Sequence, residues 1–214
     1  RRSMPPGRRL FFRSVALAKM PMSACFFVLC AALHNFAHSD KTAEAVYTIP
    51  VKQNERMSKM KIRKATEADM PALHRLLKQV HRIHHAGRPD LFKLGEKYTN
   101  EELAAILKDE TRPIFVAEDT GGDVKGYAFC VCQNTPESTL MHAMRTLYID
   151  DLCVDENCRG QHIGRALFEH VKTFAKENGF YNLTLNVWSL NDSARRFYES
   201  CGLHPQRTTM ETLL

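Results

Sequence analysis

The chain reads as an α/β protein built on one mixed sheet, antiparallel in its first half and joined by helical crossovers in its second. Three observations carry this. Short β-rich runs recur from Met60 onward, amphipathic stretches at helical spacing separate several of them, and glycine-containing polar turns punctuate the series. The predicted order is β-α-α-β-β-β-α-β-α-β, with no internal repeat and no low-complexity segment.

Order begins at Met60-Lys61-Ile62-Arg63, where apolar side chains alternate as on a strand near a sheet edge. Thr66-Glu67-Ala68-Asp69 then offers an N-cap followed by acids. Leu73, Leu76, Leu77, Val80 and Ile83 follow at helical spacing, which predicts a helix over 67–85. Gly87-Arg88-Pro89 breaks it, and Thr99 or Asn100 caps a second, short helix with the stripe Leu103, Ile106 and Leu107. Pro113 to Glu118 and Tyr127 to Gln133 read as strands joined by a hairpin turn at Gly121-Gly122. Leu147 to Val154 is a further apolar strand that ends in an acidic turn. A helix from Ile163 to Asn178 closed by Gly179, a strand from Leu183 to Trp188, a helix from Asp192 to Ser200 and a last strand near Thr208–Leu213 complete the series.

A chain of 214 residues, 44% hydrophobic and 25% charged, fits one globular domain with an appendage. The longest apolar run, Met22 to Leu33, is far shorter than the roughly 20 residues a bilayer core needs, so no membrane span is expected. Seven cysteines are an odd number and are scattered through the elements, which favours a reducing, cytoplasmic setting. Charge divides the chain more sharply than any motif. Residues 1–59 hold 10 of the 30 basic residues and 3 of the 24 acidic ones, which leaves 20 against 21 for the remainder. The body is nearly neutral, and a nucleic-acid partner loses its electrostatic basis. Residues 1–59 lack a sustained period. They read as an upstream extension ahead of Met57 or Met60, as a targeting peptide with Arg8, Arg9 and Arg13 before an apolar stretch, or as a flexible arm. The domain is expected over 60–214.

Chemistry concentrates where Val154-Asp155-Glu156-Asn157-Cys158 leads through Arg159 and Gly160 into a helix that carries Gly164 in its first turn. A helix N-terminus presents unpaired N–H groups and the positive end of a dipole, small residues let a phosphate approach, and Arg159 and Arg165 add charge. A plain structural turn fits the same residues. Neither a P-loop nor a dinucleotide fingerprint is present. Tyr148-Ile149-Asp150-Asp151-Leu152-Cys153-Val154, followed by Arg159-Gly160-Gln161-His162-Ile163-Gly164-Arg165, resembles the acetyl-CoA-binding motif of the GNAT superfamily of N-acetyltransferases. Asn191-Asp192-Ser193-Ala194-Arg195-Arg196-Phe197-Tyr198, continuing to Gly202-Leu203, resembles that family's later N-x-x-A-x-x-F-Y segment. The likeness covers Met60 to the C-terminus and departs at His162, where the family's R/Q-x-x-G-x-G/A pattern has glycine.

The resemblance implies a GNAT-like acyl-CoA N-acyltransferase fold, acetyl-CoA as co-substrate and an amine as acceptor. It implies that the backbone of Leu152, Cys153 and Val154 meets the pantetheine, that residues 159–165 hold the pyrophosphate, and that Asn191 touches the cofactor besides capping its helix. A Leu152 N–H near the thioester would stabilise the oxyanion. At neutral pH an alkylammonium is only about 10⁻³ deprotonated, a cost of roughly 4–5 kcal/mol, so a base is needed. Asp150 and Asp151 are adjacent on a strand, so their side chains should take opposite faces, with Asp150 favoured as the base and solvation of a strand end the plain alternative. Tyr198 matches the family's general acid and would otherwise be a core aromatic. His84, His85, Arg88 and Asp90 are candidates for acceptor contact. His74, His81, His84 and His85 lack a carboxylate or cysteine to complete a metal set, and no metal is expected. Within the same fold the acceptor could instead be a protein N-terminus or lysine, and a non-catalytic acyl-CoA sensor is the rival from another class. A homodimer is compatible with all of these.

Overall fold

The computed structural model describes residues 60–214, so the expectations for residues 1–59 fall outside the described residues. Five strands form one sheet in the order β1-β2-β3-β4-β5. These are β1 (Lys61–Lys64), β2 (Ile114–Glu118), β3 (Val124–Thr135), β4 (Met144–Val154) and β5 (Asn182–Leu185). The first three pairings are antiparallel and β4–β5 is parallel. Four α-helices cover the sheet: α1 (Met70–Gly87), α2 (Asn100–Lys108), α3 (Ile163–Glu177) and α4 (Asp192–Ser200). Among the described residues no helix is long and apolar enough to cross a membrane.

Alternation along the strands divides the core between the two faces. Val116, Tyr127, Phe129 and Cys153 join Leu73, Leu76 and Leu77 of α1 and Leu103 and Ile106 of α2 on one face. Phe115, Ala128, Cys130, Leu147 and Ile149 join Ile163, Leu167, Phe168 and Val171 of α3 on the other. Burying each large apolar side chain contributes about 1.5–3 kcal/mol, and this two-sided burial holds the sheet between its helices. Gly126 is required by close approach: a Cβ there would lie 2.8 Å from the Cys153 carbonyl oxygen, against the neighbouring strand.

Two expectations are corrected. The first helix starts later than 67, because Glu67–Asp69 forms a 3₁₀ turn and Pro71 sits in the opening turn of the α-helix proper. The strand expected near Thr208–Leu213 is not formed. That segment builds no ladder on β5; Glu211 instead pairs with Arg88 at 2.8 Å, and β5 remains the sheet's edge.

The entry to α1 is held by charge. Asp69, 6% exposed, accepts from Arg63 at 2.7 and 2.9 Å and from the Thr66 backbone N–H at 2.7 Å. The Arg63 bonds, aided by those from Thr66, hold the Asp69 carboxyl below the usual aspartate range. This stabilisation is complete above the pKa of an unfolded aspartate and is lost as pH falls through the lower folded-state value. Asp69→Asn should therefore cost about 2 kcal/mol at neutral pH, with the deficit shrinking toward acid. Urea midpoints measured against pH check this; a deficit that does not vary with pH contradicts it.

Candidate active site

A β-bulge in β4 organises the site. Phe129 pairs with Asp151 and Cys130 with Ile149, so Asp150 is an extra residue opposite no partner. The insertion reverses the facing of everything after it. Leu147 and Ile149 pack on the α3 face, and beyond the bulge Leu152 and Val154 pack there too, while Cys153 turns to the α1 face. Asp150 and Asp151 consequently do not take opposite faces, as period-2 alternation predicts; both are directed to the α1 side. There the Lys97 Nζ donates to Asp150 at 3.0 Å and lies 3.5 Å from Asp151.

Depth distinguishes the two acids. The Asp150 side chain is 32% exposed and that of Asp151 only 8%. The Tyr127 hydroxyl donates to Asp151 at 3.1 Å from within the core. Burial pushes the Asp151 carboxyl up, an effect that Lys97 opposes. Burial likewise acts to lower the Lys97 ammonium, but Asp151 and Asp150 outweigh it and hold the group protonated. His84 completes this surround. Burial depresses its imidazole, against the pull of Asp151, and keeps it neutral near pH 7.

β4 also outlasts its parallel neighbour. The ladder with β5 ends at Ile149 and Leu185, so among the described residues no strand lies beside residues 150–154 on that edge. On the opposite edge the Asp155 N–H donates to the Lys125 carbonyl and the Cys153 carbonyl lies against Gly126. By alternation, the N–H and C=O groups of Leu152 and Val154 face the open edge. The Arg159 Nε, 3.5 Å from the Val154 carbonyl, reaches that edge as well.

The turn into α3 is built from two left-handed residues. Gly160 has φ 75 with nothing near where a Cβ would stand, and His162 has φ 61 and ψ 9 at the N-cap. Among the described residues His162 is the one non-glycine with positive φ. No side chain caps this helix and no acid lies in its first turn. Its first intrahelical bond runs from Ala166 N–H to the His162 carbonyl, so the N–H groups of Ile163, Gly164 and Arg165 precede the ladder. These features fit a CoA pyrophosphate. Gln161 is exposed on the same turn. Gly164 is different: its Cα faces Phe197 and Val154, with a Cβ position 3.4 and 3.5 Å from their carbons, so it serves close packing. The Arg165 guanidinium donates to the Ser200 carbonyl and hydroxyl at 3.1 and 3.0 Å and so ties down the end of α4.

Asn191 caps α4, its side chain accepting from Ala194 N–H at 3.1 Å. Tyr198, on the same helix, packs beside Phe197 and Phe168 on the α3 face. Burial, reinforced by Asp151, pushes its phenol upward, so it stays protonated. The residues expected near the acceptor are less uniform. His85 Nδ1 bonds the Phe92 carbonyl at 2.6 Å, and His81 bonds that of Lys93. Arg88 is engaged by Asp90 and Glu211. Of that group His84 is the one that feels the charge of Asp151, and its ring lies tilted against that of Phe92 at 5.1 Å; the Phe92 ring in turn meets Trp188 edge-on at 5.4 Å.

Sequence reasoning missed Lys97, Tyr127 and the bulge. The bulge had left a signal: apolar residues fall at 147 and 149, then at 152 and 154, so the spacing across the two acids is three where a regular strand needs two. Lys97 left none, because it lies in an irregular segment whose path no periodicity describes.

Comparison with known proteins agrees with this architecture. Residues 77–203 match the family described as Acetyltransferase (GNAT) family. A point mutant of the BH1408 protein from Bacillus halodurans superposes with a TM-score of 0.70 at 34% identity, covering 72% of this chain and 99% of that one. An aminoglycoside acetyltransferase, meta-AAC0020, from an uncultured soil metagenomic sample, crystallised with trehalose, shares the fold with a TM-score of 0.57 at 23% identity, covering 73% and 97%. Glucosamine-6-phosphate N-acetyltransferase from Arabidopsis thaliana does so with a TM-score of 0.55 at 22% identity, covering 72% and 97%. No protein of curated function matches the sequence.

The left-handed His162 yields a test. A non-glycine residue there bears a cost of about 1–2 kcal/mol, partly offset by the greater unfolded-state entropy of glycine. His162→Gly should stabilise the fold by about 0.5–1 kcal/mol in urea unfolding while keeping acetyl-CoA affinity. Loss of affinity in the more stable variant would make the imidazole itself a ligand.

Proposed function

Because the chain belongs to the GNAT acetyltransferase family, we propose that it transfers the acetyl group of acetyl-CoA directly to a primary amine of a small molecule or peptide. The observation that carries this is the arrangement across the split sheet. Two carboxylates stand on one face beside the free edge of β4, and a protonated phenol stands on the other. A base and an acid set apart in this way suit acyl transfer, since the amine's proton and the departing thiolate are handled at different positions around the carbonyl carbon.

The α3 N-terminus and the turn at Gly160 would hold the pyrophosphate, and the backbone of Leu152 and Val154 would align the pantetheine. Acetyl-CoA supplies an activated acyl group, so no covalent enzyme intermediate is required. The acceptor arrives as an ammonium, which the acid pair attracts. Asp150, the more accessible carboxylate, takes one proton from it directly or through water, the freed lone pair forms the N–C bond, and the second nitrogen proton, made strongly acidic by that bond, leaves through water. Asp151, deeper and bonded by Tyr127, keeps the negative field on that spot. The Leu152 N–H polarises the thioester carbonyl, and Tyr198 protonates the departing thiolate, whose conjugate thiol has an ordinary pKa near 8.5. The odd, scattered cysteines favour a reducing compartment for this chemistry.

Tyr198→Phe keeps the ring and most of its packing. It should leave acetyl-CoA affinity intact and lower turnover by about 10²–10³-fold over a panel of amines and peptides, read by thiol release. Asp150→Asn should make the rate climb with pH toward the acceptor's own pKa, because only amine already neutral can then react. Full turnover in both variants contradicts the assignment. Acetyl-CoA binding with no responsive amine would instead favour a sensor.

A further inference from the structure

Lys97 stands on the acid pair because its neighbours are fixed. Residues 88–99 form the connection between α1 and α2, with no regular element. Within it Glu96 pairs with Lys78 of α1 at 2.7 Å, and the Tyr98 ring stacks on Phe129 with centroids 6.0 Å apart. The next residue, Thr99, caps α2 by accepting from Glu102 N–H at 3.2 Å. Between these contacts the Lys97 side chain reaches Asp150 and Asp151. Its ammonium is the group that the proposed acceptor would present. It is placed on the carboxylate pair that would draw that acceptor, and Asp151 directly precedes Leu152, whose backbone faces the open edge of β4.

We propose that Lys97 is itself an acetyl acceptor: with acetyl-CoA bound and no amine substrate present, the protein acetylates its own Lys97 Nζ. This rests on the acetyl-transfer function proposed above. The chemistry balances without a further reagent. Asp150 takes one proton from the ammonium, and the freed lone pair forms a bond to the thioester carbonyl carbon. Collapse of the tetrahedral species breaks the C–S bond, and Tyr198 gives its proton to the thiolate. The second nitrogen proton restores the phenol through water. The products are an amide at Nζ, free CoA and one proton released from Asp150 to solvent. The amide carries no charge, so the reaction also removes the cation that competes with an external ammonium for the two carboxylates.

The full chain is incubated with acetyl-CoA alone, and the modification is read by intact mass and peptide mapping. The expected result is one acetyl group, on Lys97, formed at a rate constant that does not change with protein concentration. Asp150→Asn should slow it by about 10²-fold, Lys97→Arg should abolish it, and any amine the protein acetylates should suppress it at saturation. Acetylation spread over exposed lysines such as Lys61 and Lys108 with Lys97 spared, or a rate that rises with protein concentration, overturns the proposal. An unmodified Lys97 in protein that turns over an amine overturns it too and leaves the acetyl-transfer function standing. Silence of Lys97 and of every amine, with acetyl-CoA bound, defeats both.

Discussion

One inserted residue in β4 governs the rest of the site. At Asp150 the strand gains a residue that β3 does not match. A bulge of this kind bends the strand, sharpens its twist and leaves the extra residue unpaired. Three consequences follow from that single local change. The facing of the strand reverses, which keeps Leu152 and Val154 on the α3 core while turning both acids to the α1 side. The strand parts from β5 after Ile149, which exposes backbone groups that a sheet would otherwise consume. The strand also runs on to deliver Asp155 to the turn before α3, where Arg75 and the Asn157 N–H fix it. The proposed base, the open edge and the entry to the turn proposed to bind the pyrophosphate are thus placed by the same distortion.

Two carboxylates side by side on one face, one of them buried, are electrostatically unfavourable alone. Lys97 offsets their repulsion, and Tyr127 supplies Asp151 with a hydrogen bond from inside the core. The neighbouring imidazole of His84 remains neutral because burial outweighs the attraction of Asp151, so it adds no second cation. Asp150, the more exposed of the pair, stays open to an arriving cation while Asp151 lies beneath it, and burial keeps the Tyr198 phenol protonated. Strain at the α3 entry belongs to the same economy of means. His162 sits in a left-handed conformation that glycine adopts freely, and that conformation leaves the first N–H groups of α3 without a side-chain cap.

The helices and the inner strands were legible in the sequence because each buries a face at its own period. α4 matches its expected bounds of Asp192 to Ser200, and the hairpin at Gly121-Gly122 joins β2 to β3 as its turn residues imply. The family resemblance also named the strand and helix that carry the site. Two things were harder to see. The final strand fits a local alternation near Thr208–Leu213, but Glu211 is drawn to Arg88, a partner 123 residues away that no local pattern reveals. The acids were placed on opposite faces because alternation was assumed to hold through them. The three-residue gap between Ile149 and Leu152 contained the correction, since two apolar residues can share a face across that gap only if the strand bulges. Lys97 was invisible for a simpler reason: an isolated lysine in an irregular segment carries no period, and only its fixed neighbours, Glu96 and Tyr98, determine where it goes.

The bulge is tested most directly by proton–proton distances in solution. With Lys97, Asp150 and Asp151 assigned in the full chain, cross-relaxation is measured between the Lys97 ε-protons and the β-protons of each aspartate. Contacts from Lys97 to both residues are expected, because both side chains lie on the α1 face. A contact to one aspartate alone, with the other showing contacts to α3 or α4, would mean that the strand alternates regularly through the acids and that the site is not built on a bulge.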